Sequence, residues 1–193
     1  MSEAVRVAPF HCPVEIASTV SSTSNLCTAS AAGVISWAVS DPTAPSRPFA
    51  FGRISVCTTP DVYPGTNSGG PFHFEAFTFF NAGPADCITV TYVSDNPNPN
   101  LFVGAYEGGF NSLAPSTNYI ADSGFSGAFP PFSFNVSANS AFELVAYSFG
   151  HGEGTYSFSV DGDAISLVAE PASLALLGLG LAGLAASRRH KSD

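Results

Sequence analysis

Ahead of residue 164, no stretch of this chain keeps an apolar helical period for more than two turns. A helix buries a face only if apolar side chains recur three to four residues apart. A chain without that recurrence must build its core from strands. From Arg47 onward the strand signals are dense and evenly spaced. Cys87 to Val93 sets Ile88, Val90 and Tyr92 against Thr89 and Thr91, the period-two pattern of a half-buried strand. Leu101 to Tyr106 reads as a strand closed by Gly108-Gly109, Thr155 to Val160 turns Tyr156, Phe158 and Val160 one way, and Phe132 to Val136 with Phe142 to Tyr147 reads as a hairpin around Ser137 to Ser140. In Phe72 to Phe80 the apolar phase shifts between Phe74 and Phe77, which predicts a bulge or a strand buried on both faces. Turn residues separate these runs: Asn81-Ala82-Gly83-Pro84, Asn96 to Asn100, Gly108-Gly109 and Gly150 to Gly154. The expected fold is all-β, an antiparallel β-sandwich of jelly-roll type over residues 47–163. Residues 1–46 are Ser/Thr-rich, with at most partial strands and no assigned role.

The last thirty residues obey a different rule. Ala172 to Ala186 holds only Ala, Leu, Gly and one Ser, and Arg188, Arg189 and Lys191 follow. Pro171 stands where a first helical residue tolerates proline. The segment has no polar face and three glycines, Gly178, Gly180 and Gly183, which each weaken a soluble helix by roughly 1 kcal/mol. It therefore reads as one C-terminal transmembrane helix, about 172–187, rather than as a core helix. Some fifteen residues reach roughly 22 Å, short of the roughly 30 Å hydrocarbon layer, so basic side chains must snorkel or the bilayer must thin. The basic stop after the helix places the C-terminus in the cytoplasm and the body of the chain outside.

The run AEPASLALLGLGLAGLAASRRHK, residues 169–191, resembles a PEP-CTERM sorting signal, a tail carried by exported proteins of Gram-negative bacteria. In that family a Pro-Glu-Pro motif precedes an apolar helix and an Arg-rich end. Glu170 and Pro171 match its second and third residues, and Ala169 replaces its first proline. The resemblance implies recognition by exosortase, a membrane protease-transpeptidase, while the chain is transiently anchored in the inner membrane. It also implies release to the envelope or the extracellular space. The strand block resembles a second type, the pre-peptidase C-terminal β-sandwich of secreted bacterial proteins. Arg47-Pro48, Gly52, Cys57, FTFFNAGPADCITV (77–90), AYEGGFN (105–111), NYIADSG (118–124) and GTYSFSVDG (154–162) carry that likeness. It implies an accessory module without catalytic residues.

Composition agrees with export. Only 11% of residues are charged, against roughly 25% in ordinary soluble domains, and the net charge is −9. Residues 1–163 hold Arg6, Arg47 and Arg53 against thirteen acidic side chains, since only Glu170 and Asp193 fall outside that span. Such a surface repels phosphate backbones, so nucleic acid is excluded as a partner. The four cysteines, Cys12, Cys27, Cys57 and Cys87, form no C-x-x-C pair, which argues against zinc and for disulfides. Of three connectivities, neighbour pairing (Cys12–Cys27 and Cys57–Cys87) is the expected one. Met1 to Ser24 lacks a charged region followed by an apolar one, so the head shows no signal peptide although the tail requires export. A start assigned too late is the preferred reading.

Catalytic signals are thin. His73 and His151 are the histidines to weigh as a base or a metal ligand, but no G-x-S-x-G or H-E-x-x-H accompanies them. Asp122, Glu153, Asp161 and Asp163 supply oxygen ligands suited to calcium without the EF-hand pattern. Tyr63, Tyr106, Phe110, Tyr119, Phe125 and Phe129 lie in Gly-rich stretches. There they either stack on sugar rings or, as small β domains more often use them, fill the core. The expectation is a non-enzymatic envelope or matrix protein, structural or adhesive in exopolysaccharide or biofilm, with no cofactor and no metal. The alternatives are a carbohydrate-binding module that uses the loop aromatics and, behind it, a secreted hydrolase.

Overall fold

The computed structural model describes residues 27–35, 42–50, 53–59, 62–94, 101–126, 130–148 and 154–168. They contain β1 (Cys27–Ile35), β2 (Thr43–Ala44), β3 (Arg47–Pro48), β4 (Thr66–Asn67), β5 (Phe72–Asn81), β6 (Asp86–Ser94), β7 (Leu101–Glu107), β8 (Tyr119–Asp122), β9 (Phe132–Val136), β10 (Ser140–Ser148), β11 (Gly154–Gly162) and β12 (Ile165–Leu167). The described part is β throughout, and every pairing is antiparallel. Among the described residues no helix is long and apolar enough to cross a membrane, and the predicted helix 172–187 lies outside them.

Two sheets make the body. One runs β1-β11-β6-β9; the other runs β12-β5-β10-β7-β8, with β2 on the edge of β5. The partners are nested in sequence: β7 with β8, β6 with β9, β5 with β10 and β1 with β11, alternately in one sheet and the other. That nesting is jelly-roll connectivity. It also corrects the expected hairpin at Ser137 to Ser140. A turn is there, with Asn139 at φ 52°, but it carries the chain across from one sheet to the other. The Asn81–Pro84 turn does the same. Buried Asn81 ties the two arches together: its Nδ2 donates to Pro84 O at 2.7 Å and Ser137 O at 3.1 Å, and its Oδ1 accepts from Gly83 N–H.

The main core lies between the sheets. Phe79, Val103, Ala105, Phe142, Leu144 and Ala146 meet Ile88, Val90, Phe134, Val136, Phe158 and Val160 from the facing sheet. The larger sheet has a second apolar face. Phe72, Phe102, Tyr106, Val145 and Tyr147 form a separate cluster there, with Phe74, Phe110 and Tyr119 packed against it. This resolves the phase shift in β5. Its register with β10 is continuous from Asn81 to Phe74, so no bulge intervenes. Phe72 and Phe74 face one layer and Phe77 and Phe79 the other.

The body takes strands from both sides of the 47–163 span. β1 and β2 precede it, and β12 follows it. At one end of the sandwich the sheets finish on β8 and β9, and residues 55–57 close the gap between them. Ser55 N–H donates to Asp122 O, Ser133 N–H donates to Ser55 O at 2.9 Å, and Asn135 Nδ2 donates to Cys57 O at 2.9 Å. The Cys57–Cys87 disulfide, with Cα atoms 5.9 Å apart, fastens this plug to β6 and is one of the two bonds of the expected neighbour pairing. Cys12 lies outside the described residues, as does the side chain of Cys27. On the chain-entropy account, Cys57→Ser/Cys87→Ser lowers the unfolding free energy by about 3–4 kcal/mol, measurable by urea titration. Asn81→Ala strands the groups of both arches and costs about 1–3 kcal/mol in the same titration.

Candidate functional site

The most polar buried constellation sits on the outer face of the larger sheet. Arg47, 3% exposed, lies between two rings, its guanidinium carbon 5.2 Å from the Phe72 centroid and 4.9 Å from that of Phe102. Stacking of this kind favours arginine, whose planar cation is weakly hydrated. Its Nη1 donates to Pro48 O at 2.8 Å and its Nη2 to Ser126 Oγ at 3.4 Å. Burial pulls the guanidinium pKa below its ordinary value, and the nearby Tyr147 and Asp122 act in the opposite direction.

Around it the aromatics lock together. Tyr106 and Tyr147 share a hydroxyl–hydroxyl hydrogen bond of 2.6 Å, and burial pushes both phenols far above the usual tyrosine range. Neither is a proton donor to solution at ordinary pH. Phe110 packs edge-on to Phe74 and Tyr147, and Tyr63 edge-on to Tyr119. Of the six loop aromatics singled out by the sequence, Tyr106 is buried, Tyr63, Phe110 and Tyr119 are half-buried, and Phe125 is exposed. Phe129 lies outside the described residues. Tyr63, Phe110 and Tyr119 thus pack beside buried Tyr106 on this face of the sheet.

Of the acidic candidates, Asp122 is spent inside the fold, whereas Asp163 is exposed. Asp122 is buried; its carboxylate accepts the Tyr119 hydroxyl at 2.6 Å and Gly124 N–H at 2.7 Å, and its own N–H donates to Ser55 Oγ. Gly124, at φ 74°, allows this turn: an added Cβ would lie 2.4 Å from Arg53 O. Asp163 N–H donates to the Asp86 carboxylate. Among the described residues no three His, Cys, Asp or Glu side chains gather as a metal site. His73 stands in β5 opposite Thr43, and its carbonyl accepts the Ser148 hydroxyl. His151 and Glu153 lie outside the described residues.

A cleft of about 220 Å³ opens over the plug, lined by Ser55, Val56, Cys57, Tyr119, Ser133 and Asn135. Its polar walls are largely occupied: Ser133 Oγ accepts from Cys57 N–H, Asn135 Nδ2 serves Cys57 O, and the Tyr119 hydroxyl serves Asp122. The sequence missed Arg47 as an organising centre. Its local signals were Arg47-Pro48 among the residues that carry the pre-peptidase C-terminal likeness and its place, with Arg53, in a block almost without basic residues.

The chain leaves this body at β12. Ile165 is buried, Leu167 packs on the core, and Val168 N–H donates to Thr78 O at 2.8 Å. Glu170, Pro171, Arg188, Arg189 and Lys191 follow, outside the described residues. Residues 168–189 match the PEP-CTERM protein-sorting motif. Comparison with curated proteins returns no match. The motif implies a secreted protein with a C-terminal, membrane-anchored sorting signal of the kind exosortase processes. It does not reach the sandwich, whose likeness to the pre-peptidase C-terminal module rests on the sequence alone.

Replacing Arg47 tests the outer cluster. Arg47→Ala removes the cation between two rings and strands the Pro48 and Ser126 acceptors, and costs about 2–4 kcal/mol. Arg47→Lys keeps the charge but loses the planar stacking and costs about 1–2 kcal/mol. Thermal unfolding of both variants beside wild type checks the order.

Proposed function

We propose that this chain is an exported, non-enzymatic jelly-roll protein of the cell envelope or extracellular matrix. The carrying observation is the sorting-motif match at residues 168–189, set directly behind a folded β-body. In this reading the apolar tail holds the chain in the inner membrane with its C-terminus in the cytoplasm. Exosortase then acts near Glu170 and Pro171, and the body passes to a structural or adhesive place in exopolysaccharide or biofilm. An accessory module of pre-peptidase C-terminal type suits such a role.

Three observations support a non-enzymatic body. Asp122, Glu107 and Glu143 accept hydrogen bonds from neighbouring turns and strands, as structural carboxylates do. Tyr63, Phe110 and Tyr119 pack beside buried Tyr106. The disulfide closes an edge gap, a device suited to an oxidising location.

Expression in a host that carries an exosortase, with any upstream codons restored, tests the reading. Wild type is expected to lose the tail near Glu170 by intact mass and to leave the membrane fraction. Glu170→Ala/Pro171→Ala is expected to keep the tail and stay membrane-bound. An uncut, membrane-held wild type means a permanent anchor and removes the matrix role.

A further inference from the structure

No spacer separates the folded body from its sorting signal. Ala164 O accepts Ala82 N–H at 3.0 Å; β12 pairs Ile165, Ser166 and Leu167 with Asn81, Phe80 and Phe79; and Val168 N–H reaches Thr78 O. The matched motif begins at that same Val168. Glu170 is two residues beyond the last anchored amide, so chain length alone holds it within about 7 Å of the body surface. Ala172, where the apolar run starts, is four residues beyond, within about 14 Å. A headgroup layer occupies roughly 5–7 Å on each side of the bilayer. With the tail inserted, the β12 end of the sandwich must lie close against the membrane surface.

An enzyme that acts on a peptide commonly takes it as an extended strand, pairing with its main-chain groups over several residues. On the N-terminal side of Glu170 those residues are Ser166 to Ala169. Of these, Ser166 and Leu167 pair with β5, and Val168 N–H reaches Thr78 O. A segment docked on the body through Ile165 and Leu167 cannot at the same time lie in an enzyme cleft, and only Ala169 stands between Val168 and Glu170 in the sequence. We propose that β12 gates removal of the sorting signal, so that the processing enzyme engages the motif only after β12 has left the edge of β5. The proposal rests on the reading that the signal is processed at the motif.

The local architecture allows such an opening without global unfolding. β12 is a three-residue edge strand that secures one end of β5, while β2 secures the other end at Phe72 and His73. β10 holds the opposite edge of β5 over its whole length, from Asn81 to Phe74. Detaching β12 therefore exposes Ile165 and one short edge, a sub-global opening of the kind native proteins make. Because β12 must compete with its own docked state, the apparent rate of tail removal falls by the fraction of time the strand is free.

The test follows tail removal by pulse–chase on the whole chain in an exosortase-bearing host. A ten-residue Gly/Ser insert between Val168 and Ala169 supplies the missing spacer and is expected to speed removal about tenfold or more. A disulfide staple between cross-strand neighbours, Ser166→Cys with Phe80→Cys, is expected to stop removal. The staple combined with the insert is expected to restore it, which shows that the stapled body is folded and exported. Hydrogen exchange on the purified uncut chain is expected to show protected amides at Ser166 and Val168, whose N–H groups face β5 in the alternating antiparallel pattern. Equal removal rates for wild type and the insert variant overturn the gate and leave the sorting reading standing. Unprotected Ser166 and Val168 amides overturn it as well. No removal in any variant, the insert included, defeats the sorting reading and the gate with it.

Discussion

The larger sheet is apolar on both faces, and one opposing sheet cannot cover it. β7 and β10 alternate large side chains to either side: Val103, Phe142 and Leu144 into the sandwich, Phe102, Tyr106, Val145 and Tyr147 away from it. The outer set needs its own roof, and the segment containing β3 and β4 provides it. Arg47 is the unusual part of that roof. A cation between Phe72 and Phe102 turns a polar chain segment into a lid over aromatic rings, with Pro48 and Ser126 taking its donors. The expected two-layer sandwich thus becomes two sheets and a partial third layer.

The same demand for cover accounts for where the chemistry-bearing side chains went. Roofs and arches are made of turns, and turns leave backbone N–H groups that need acceptors. Asp122, Glu107, Glu143 and Asn81 supply them. Asp122 in particular joins three parts: β8, the Gly124 turn and the plug at Ser55. Asp122, which in isolation looks like a candidate ligand, is thus a fastener among described residues that hold no helix.

The sandwich also gives the tail its setting. Because β12 completes the edge of β5, the chain passes from the last described strand to the first residue of the sorting motif at Val168. Fold and address are contiguous.

Much of this was legible in the chain itself. Strand signals placed β6, β7, β9, β10 and β11 close to their observed bounds, with period-two alternation clearest in β6 and β11, because side chains alternate across a strand whatever it pairs with. The tail announced itself through an uninterrupted apolar run, a basic stop and Glu170-Pro171, all properties of covalent order alone. Cys57–Cys87 was the neighbour pairing preferred among three connectivities. Pairing did not follow from local signals. The residues that make a turn at Asn81–Pro84 or Ser137–Ser140 are the same for a hairpin and for an arch between sheets, so the sequence suggested a β9–β10 hairpin where the strands lie in opposite sheets. The inclusion of β1 and β12 was likewise decided in three dimensions. A short edge strand has little pattern of its own and is held by the hydrogen-bonding edge it completes. Sequence determined which segments extend, where they turn and which address the chain carries. Only the tertiary structure decided which edges meet, which face of each strand is covered and that a lone arginine stands at the centre of the roof, because those outcomes depend on apolar faces brought together from distant parts of the chain.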